Sequence, residues 1–218
     1  MKDANKDAGG THKGRPYRGE ASESRVMRRR AALIEAGLEL FGTKGYRTTS
    51  VKEICSAVGL TERYFYESFS NREALLAAVY QTIIAEMSVS LESALRRRRG
   101  DSEARVRALL RAFFRYVHND ERRARVMLVE VLGISPEIDR LYHTAVRNLA
   151  ELMEHPALGL FPARTDREKH VTSMGLVGAM AQIATHWMLD GFRTPFRQVE
   201  RGTSRLFLAM AAAARDTD

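Results

Sequence analysis

Three times in this chain a Ser or Thr stands three residues ahead of a Glu, just before an apolar-periodic stretch. The pairs are Ser50 and Glu53, Ser70 and Glu73, and Thr165 and Glu168. Each has the form of a capping box, in which the two side chains satisfy each other's orphan backbone donors at a helix start. Other start signals fall between them. Ser135-Pro136 pairs an N-cap with proline at the first helical position. Thr61, Gly100-Asp101-Ser102, Asn119-Asp120 and Thr194-Pro195 open further helices. Behind these signals apolar residues recur at spacings of three and four. Val26, Ala32, Leu33, Ala36, Leu40 and Phe41 are the first such face, and Gly42 and Gly45 end it. No stretch alternates β-branched and polar residues as a strand would. The chain therefore reads as all-α with about nine helices: three or four short ones, then a bundle of longer ones.

Composition narrows the function. The chain has 218 residues and a net charge of +8, and Arg supplies 29 of its 35 cations. Such an excess favours an anionic partner such as nucleic acid, and arginine forks suit phosphate and base edges. One cysteine, Cys55, rules out an internal disulfide framework and a cysteine-based zinc site. The N-terminus is polar, and no apolar run is expected to approach the roughly 18–20 residues that span a bilayer. A cytoplasmic protein is expected. The first 21 residues are glycine-rich and charged, and read as a disordered basic tail. That tail is either a solvated end or an arm that adds phosphate attraction.

The informative segment runs from Thr48 to Tyr66. It reads as helix, tight turn, helix, with Gly59 supplying the turn and Ile54, Val58, Leu60 and Phe65 sharing a small core. In a helix-turn-helix the second helix enters the DNA major groove with its N-terminal end leading. Thr61, Glu62, Arg63 and Tyr64 are then nearest the bases. Arg63 can pair bidentately with guanine, and Glu62 can read cytosine or repel wrong sites. Thr49, Ser50 and Lys52 suit the phosphate backbone, as do the Tyr66 hydroxyl and Arg72.

These residues strongly resemble the DNA-binding domain of TetR-family transcriptional regulators. The resemblance covers residues 26–76. It lies in Ala36-x-x-x-Leu40-Phe41-x-x-x-Gly45-Tyr46-x-x-Thr49, then Ile54-x-x-Ala57-x-Gly59-Leu60, then Phe65-Tyr66-x-x-Phe69-x-x-Arg72-Glu73-x-Leu75-Leu76. It implies backbone contacts from Thr49, Ser50 and Lys52, base contacts from Thr61 to Tyr64, and phosphate contacts from Tyr66 and Arg72. The chain departs from the family at Glu62-Arg63, where Lys-Gly is common, and at Ser68, where His is common. No operator sequence can be transferred from a relative on that account.

The resemblance further implies a DNA-binding domain over 22–70 and a helical effector-binding and dimerisation domain over 71–218. In that second domain the residue chemistry offers Phe113, Phe114, Met127, Tyr142, Met153 and Met174 as apolar lining. Gln182, His186 and Trp187 are its polar or aromatic partners. On sequence grounds most of these are core residues, since aromatic stripes at helical spacing usually are. Small residues at Gly175, Gly178 and Ala179 on one helix, and at Ala209 and Ala212 on the last, allow close helix approach. That approach is either to a partner subunit or within one chain. Arg96 to Arg99 suit a helix C-terminus, or add non-specific DNA attraction.

The expected function is a ligand-responsive DNA-binding regulator, a repressor that binds a palindromic operator as a homodimer and is released by a small, largely apolar effector. The pivot is expected to travel along the helix that starts at Asn71. No catalytic motif, cofactor or metal is expected. The six histidines lack tight ligand spacing, and a composite site from His143 and His186 is the one alternative. A DNA-binding adaptor with a fully packed interior is the other.

Overall fold

The computed structural model describes residues 18–97, 101–161 and 165–213. Helix α1 spans Arg18–Thr43, α2 Val51–Ala57, α3 Glu62–Ser68 and α4 Arg72–Arg97. Then follow α5 Ser102–Asn119 and α6 Glu121–Arg125, which runs directly into a π-helical turn, Val126–Glu130. Helix α7 covers Pro136–Met153, a 3-10 turn Pro156–Leu158, α8 Asp166–Leu189 and α9 Phe196–Ala213. The chain is all-α among the described residues, as the periodicity requires.

The cap signals explain most helix starts. Capping boxes form at Ser50–Glu53 and Thr165–Glu168. Ser135 caps α7 with Pro136 at its first position, and Asp101 and Asp120 cap α5 and α6. The expected box at Ser70–Glu73 does not form. Asn71 instead accepts from the Ala74 amide at 2.7 Å, and Glu73 accepts from the Ser135 hydroxyl at 2.5 Å. A tertiary partner competes successfully for the carboxylate. Helix α1 begins at Arg18, so residues 18–21 of the expected tail are helical. Residues 1–17, Arg98 and Arg99 lie outside the described residues. Arg96 pairs with Glu92 at 3.0 Å, and Arg97 donates to the Ser93 carbonyl.

The first layer is small. Leu33 and Phe41 of α1, Ile54 of α2, Phe65 of α3 and Leu75 of α4 are all fully buried. Helix α4 continues into the second layer, where it packs on α5 and α7. The position 70/71 is therefore no break in packing. The expectation about apolar length is corrected here. By length and composition α4 is apolar enough to cross a membrane, with a mean hydropathy of 1.5 over 18 residues. In this fold it is a core helix, with Leu76, Val79, Ile83, Met87 and Leu91 buried.

Two tight approaches join the layers. A Cβ on Gly37 would lie 3.1 Å from Leu75 and Val79 of α4. A Cβ on Gly42 would lie 2.5 Å from the Arg122 Cβ and 2.6 Å from its Cα. Gly42 thus sets the distance between α1 and α6 as well as marking the end of α1's apolar face. Around that contact Arg122 donates to Glu39 at 2.5 Å and to Asp120 at 2.8 Å. The Arg122 guanidinium holds the Asp120 carboxyl below its ordinary range.

A candidate nucleic-acid interface coupled to an apolar cavity

Helices α2 and α3 are held by backbone geometry before any side chain acts. The Leu60 amide donates to the Cys55 carbonyl at 2.9 Å, and Gly59 between them takes a positive φ of 65°. A side chain is strained in that left-handed conformation, so glycine fits the turn. Phe65 anchors α3 inward, packing edge-on against Tyr66 and at a tilt against Phe69. The opposite side of the unit faces solvent. Ser50, Lys52, Thr61, Glu62, Arg63 and Tyr66 are all exposed there. Arg63 has 84% of its side chain exposed and lies 3.2 Å from Glu67. Thr61 occupies the N-cap of α3 but makes no side-chain cap bond, so its hydroxyl stays uncommitted.

Three expected contacts are placed differently. Thr49 is fully buried, and its hydroxyl donates to the Gly45 carbonyl at 2.8 Å. Its role in the fold is to shape the turn between α1 and α2. Arg72 is half-buried, stacked 4.5 Å over the Tyr46 ring, and donates to the Thr49 carbonyl. Tyr64 is half-buried with the Arg29 guanidinium 4.3 Å over its ring. Sequence reading missed Arg29 and Arg30. Arg30 lies 4.2 Å over Phe69 and donates to the Ser68 carbonyl. Their signal was the basic run Arg28-Arg29-Arg30 between Val26 and Ala32 of the apolar face.

The start of α2 also carries a charge lock. Lys44 and Ser50 both bond Glu53, with Ser50 donating backbone and side chain at 2.8 Å. Lys44 first, then Ser50, pulls the Glu53 carboxyl down to about 2.

The second half holds a small apolar cavity of about 40 Å³. Tyr80, Ile84 and Met87 of α4 line it, with Phe113 of α5, Tyr142 of α7 and Met180 of α8. The π-turn adds Met127 and Leu128. Three expected lining residues, Phe113, Met127 and Tyr142, are brought together here. Phe114 and Met153 are not among the lining; both are buried core, Phe114 with its ring centroid 6.1 Å from that of Trp187. Met174 is half-buried against the core. Gln182, His186 and Trp187 line a separate surface groove between α8 and α9, of about 580 Å³. The Trp187 indole there donates to the Thr194 carbonyl at 2.7 Å. Sequence reading missed Tyr80, Ile84 and Met87, because a core stripe and a cavity lining share one periodicity.

Besides α4, which runs from one to the other, the cavity and the helix-turn-helix are joined by one short element. Met127 and Leu128 face the cavity from the π-turn. At the end of that turn Glu130 accepts from the Tyr46 amide at 2.8 Å and from Arg125 at 2.9 Å. Tyr46 is the residue on which Arg72 stacks. The Glu130 carboxylate therefore joins the cavity-side turn to the loop that enters α2. Single π-turns within helices are frequent at functional sites.

The small residues of α8 and α9 face outward. Gly175, Gly178, Ala209 and Ala212 are exposed, and Ala179 is half-buried. A Cβ on Gly175 or Gly178 would meet nothing within 4 Å. Close packing within this chain therefore does not account for those two glycines. Val171, Leu206 and Met210 are exposed on the same two helices.

Residues 33–79 match the family of bacterial regulatory proteins known as the tetR family. The transcriptional activator FasR of Mycolicibacterium smegmatis is 26% identical over 179 residues, covering 80% of each chain. The transcriptional regulator YdgC of Bacillus subtilis is 22% identical over 200 residues, covering 89% of this chain and 98% of its own. The fold is shared with the fatty acid degradation regulator FadR of Bacillus halodurans, at a TM-score of 0.70 and 18% identity over 83% of this chain and 94% of that one. It is shared equally with FadR of Bacillus subtilis, solved with stearoyl-CoA, at 0.68 and 14% over 81% and 96%. The helix-turn-helix of α2 and α3 thus lies within a segment that matches the tetR family, and the chain is similar to transcriptional regulators over most of its length.

Proposed function

We propose that this protein is a homodimeric repressor that binds a palindromic operator and is released by a small, largely apolar effector. The observation that carries the reading is the π-turn, which lines the cavity at one end and holds the Tyr46 amide through Glu130 at the other. An effector that displaces Met127 or Leu128 shifts Glu130. Tyr46 and the start of α2 then move against the operator. The path expected along α4 is kept as a second link, since Glu73 of its first turn bonds Ser135 just beyond the π-turn.

On the DNA, Arg63 reads a base, and Thr61 and Glu62 flank it. Ser50, Lys52 and Tyr66 bind phosphate. Tyr64, Thr49 and Arg72 act through position, Arg72 by fixing the turn that presents Ser50. Dimerisation through the outward small residues of α8 and α9 sets two recognition helices about one helical turn of DNA, or a multiple, apart. The stearoyl-CoA of Bacillus subtilis FadR supports an effector with a long apolar portion. A second reading, transcriptional activation, is favoured by the likeness to FasR.

Selection of bound fragments from the source genome at physiological salt tests the proposal. Wild type is expected to enrich a palindrome and Arg63→Ala to lose it. Binding without sequence enrichment that fades steeply with salt would leave only the +8 charge at work. A reporter behind the enriched site separates repression from activation by the sign of its change when the protein is deleted.

A further inference from the structure

We infer that the cavity takes an uncharged effector: a molecule with a long apolar chain and one hydrogen-bonding oxygen seated against Tyr80 and Tyr142. The inference rests on the reading of this cavity as the effector site.

Two observations carry it. First, the lining holds no charged side chain, and its polar groups are the two phenols. Tyr80 is only 3% exposed and Tyr142 is half-buried. Neither hydroxyl has a hydrogen-bond partner among the described residues. Each hydroxyl is thus open to an oxygen of a bound molecule, which can accept from it. Both phenols line the same cavity, so a ligand oxygen there has two donors available to it.

Second, the cavity adjoins a cleft of about 360 Å³ between α4 and α7, sharing Ile84, Met87, Ala145 and Leu149 with it. That cleft has room for an apolar chain. Its polar lining is Ser88, Glu92, Asn148 and Glu151, with no basic side chain. An anionic head therefore meets two carboxylates at the rim and no cation inside. Moving it out of water costs more than two neutral hydrogen bonds return. A neutral head meets neither penalty.

The test uses 1-decanol and decanoate, which share a chain and differ in head charge. Each is titrated by calorimetry into the full-length protein without DNA. Decanol is expected to bind at least tenfold more tightly than decanoate at pH 7.5. Tyr80→Phe and Tyr142→Phe are each expected to weaken decanol roughly five- to tenfold, the worth of one neutral hydrogen bond. Their melting temperatures without ligand are expected to stay level, because neither hydroxyl bonds a protein group. Equal binding of decanoate, failure of both molecules to bind, or Phe variants with unchanged decanol affinity would each overturn the inference. Decanol binding that leaves operator affinity unchanged would instead remove the effector reading, while the ligand class would stand.

Discussion

The surface of α2 and α3 and the cavity behind α4 use polar groups in opposite ways. At the helix-turn-helix nearly every polar side chain near the core is committed. Thr49 shapes a turn, Arg72 and Arg30 cap carbonyls, and Glu53 gathers Lys44 and Ser50. What stays exposed is a thin outer set led by Arg63 and Thr61. In the cavity the commitments are absent, and two phenols wait in an otherwise apolar lining. The first region is rigid so that a few groups can be aimed at DNA. The second leaves its two phenols without protein partners, which suits it to a ligand under the proposed function. The difference assigns presentation to one and reception to the other.

The largest effect that would break this contrast is removal of the α3 anchor. Phe65 is fully buried, so Phe65→Ala is expected to cost about 3–5 kcal/mol. Hydrogen exchange should show the loss first in α2 and α3, while the amides around the cavity hold. Equal loss across both regions would mean that they do not differ in the way described. Next comes Arg63→Ala, expected to weaken the operator by about 1–3 kcal/mol and to leave thermal stability unchanged, since its pair with Glu67 is exposed. Competition against non-specific DNA reads the effect.

Gly42→Ala sharpens the contrast at the junction. The added methyl runs into the backbone of Arg122, so a loss of roughly 1–3 kcal/mol is expected in denaturant unfolding. The smallest effect is at Glu53. Its carboxyl is held near 2 in the fold, against an ordinary value of 4.5. A depressed carboxylate stabilises above the unfolded value, and the benefit is lost as pH falls from about 4.5 towards 2. The gap in melting temperature between wild type and Glu53→Gln should therefore close over that window and stay constant above pH 5.

Legibility in the sequence followed the same division. The α2–α3 unit announced itself because local physics fixes it: a capping box at Ser50, a glycine at the turn and an inward Phe65 all lie within twenty residues. The cavity lining was half legible. Phe113, Met127 and Tyr142 were visible as aromatics and methionines. Tyr80 and Ile84 were not, since a helix facing a cavity and one facing a packed core show the same spacing. The junction was least legible. Glu130 and Tyr46 are 84 positions apart, and Gly42 looked like a simple stop until α6 was laid against it. The pairing at Ser70 failed for a related reason, because Glu73 found a distant serine.

The central claim is that the cavity and the operator surface are coupled through the π-turn and Glu130. It is tested most directly by measuring 1-decanol affinity for the free protein and for the operator-bound protein, in wild type and in Glu130→Ala. Linkage requires that decanol weaken the operator by the factor by which the operator weakens decanol. The account predicts a factor of about five or more in wild type, and a factor near one in Glu130→Ala with decanol binding retained. Decanol affinity that ignores the operator in wild type, or coupling that survives in Glu130→Ala, would contradict it.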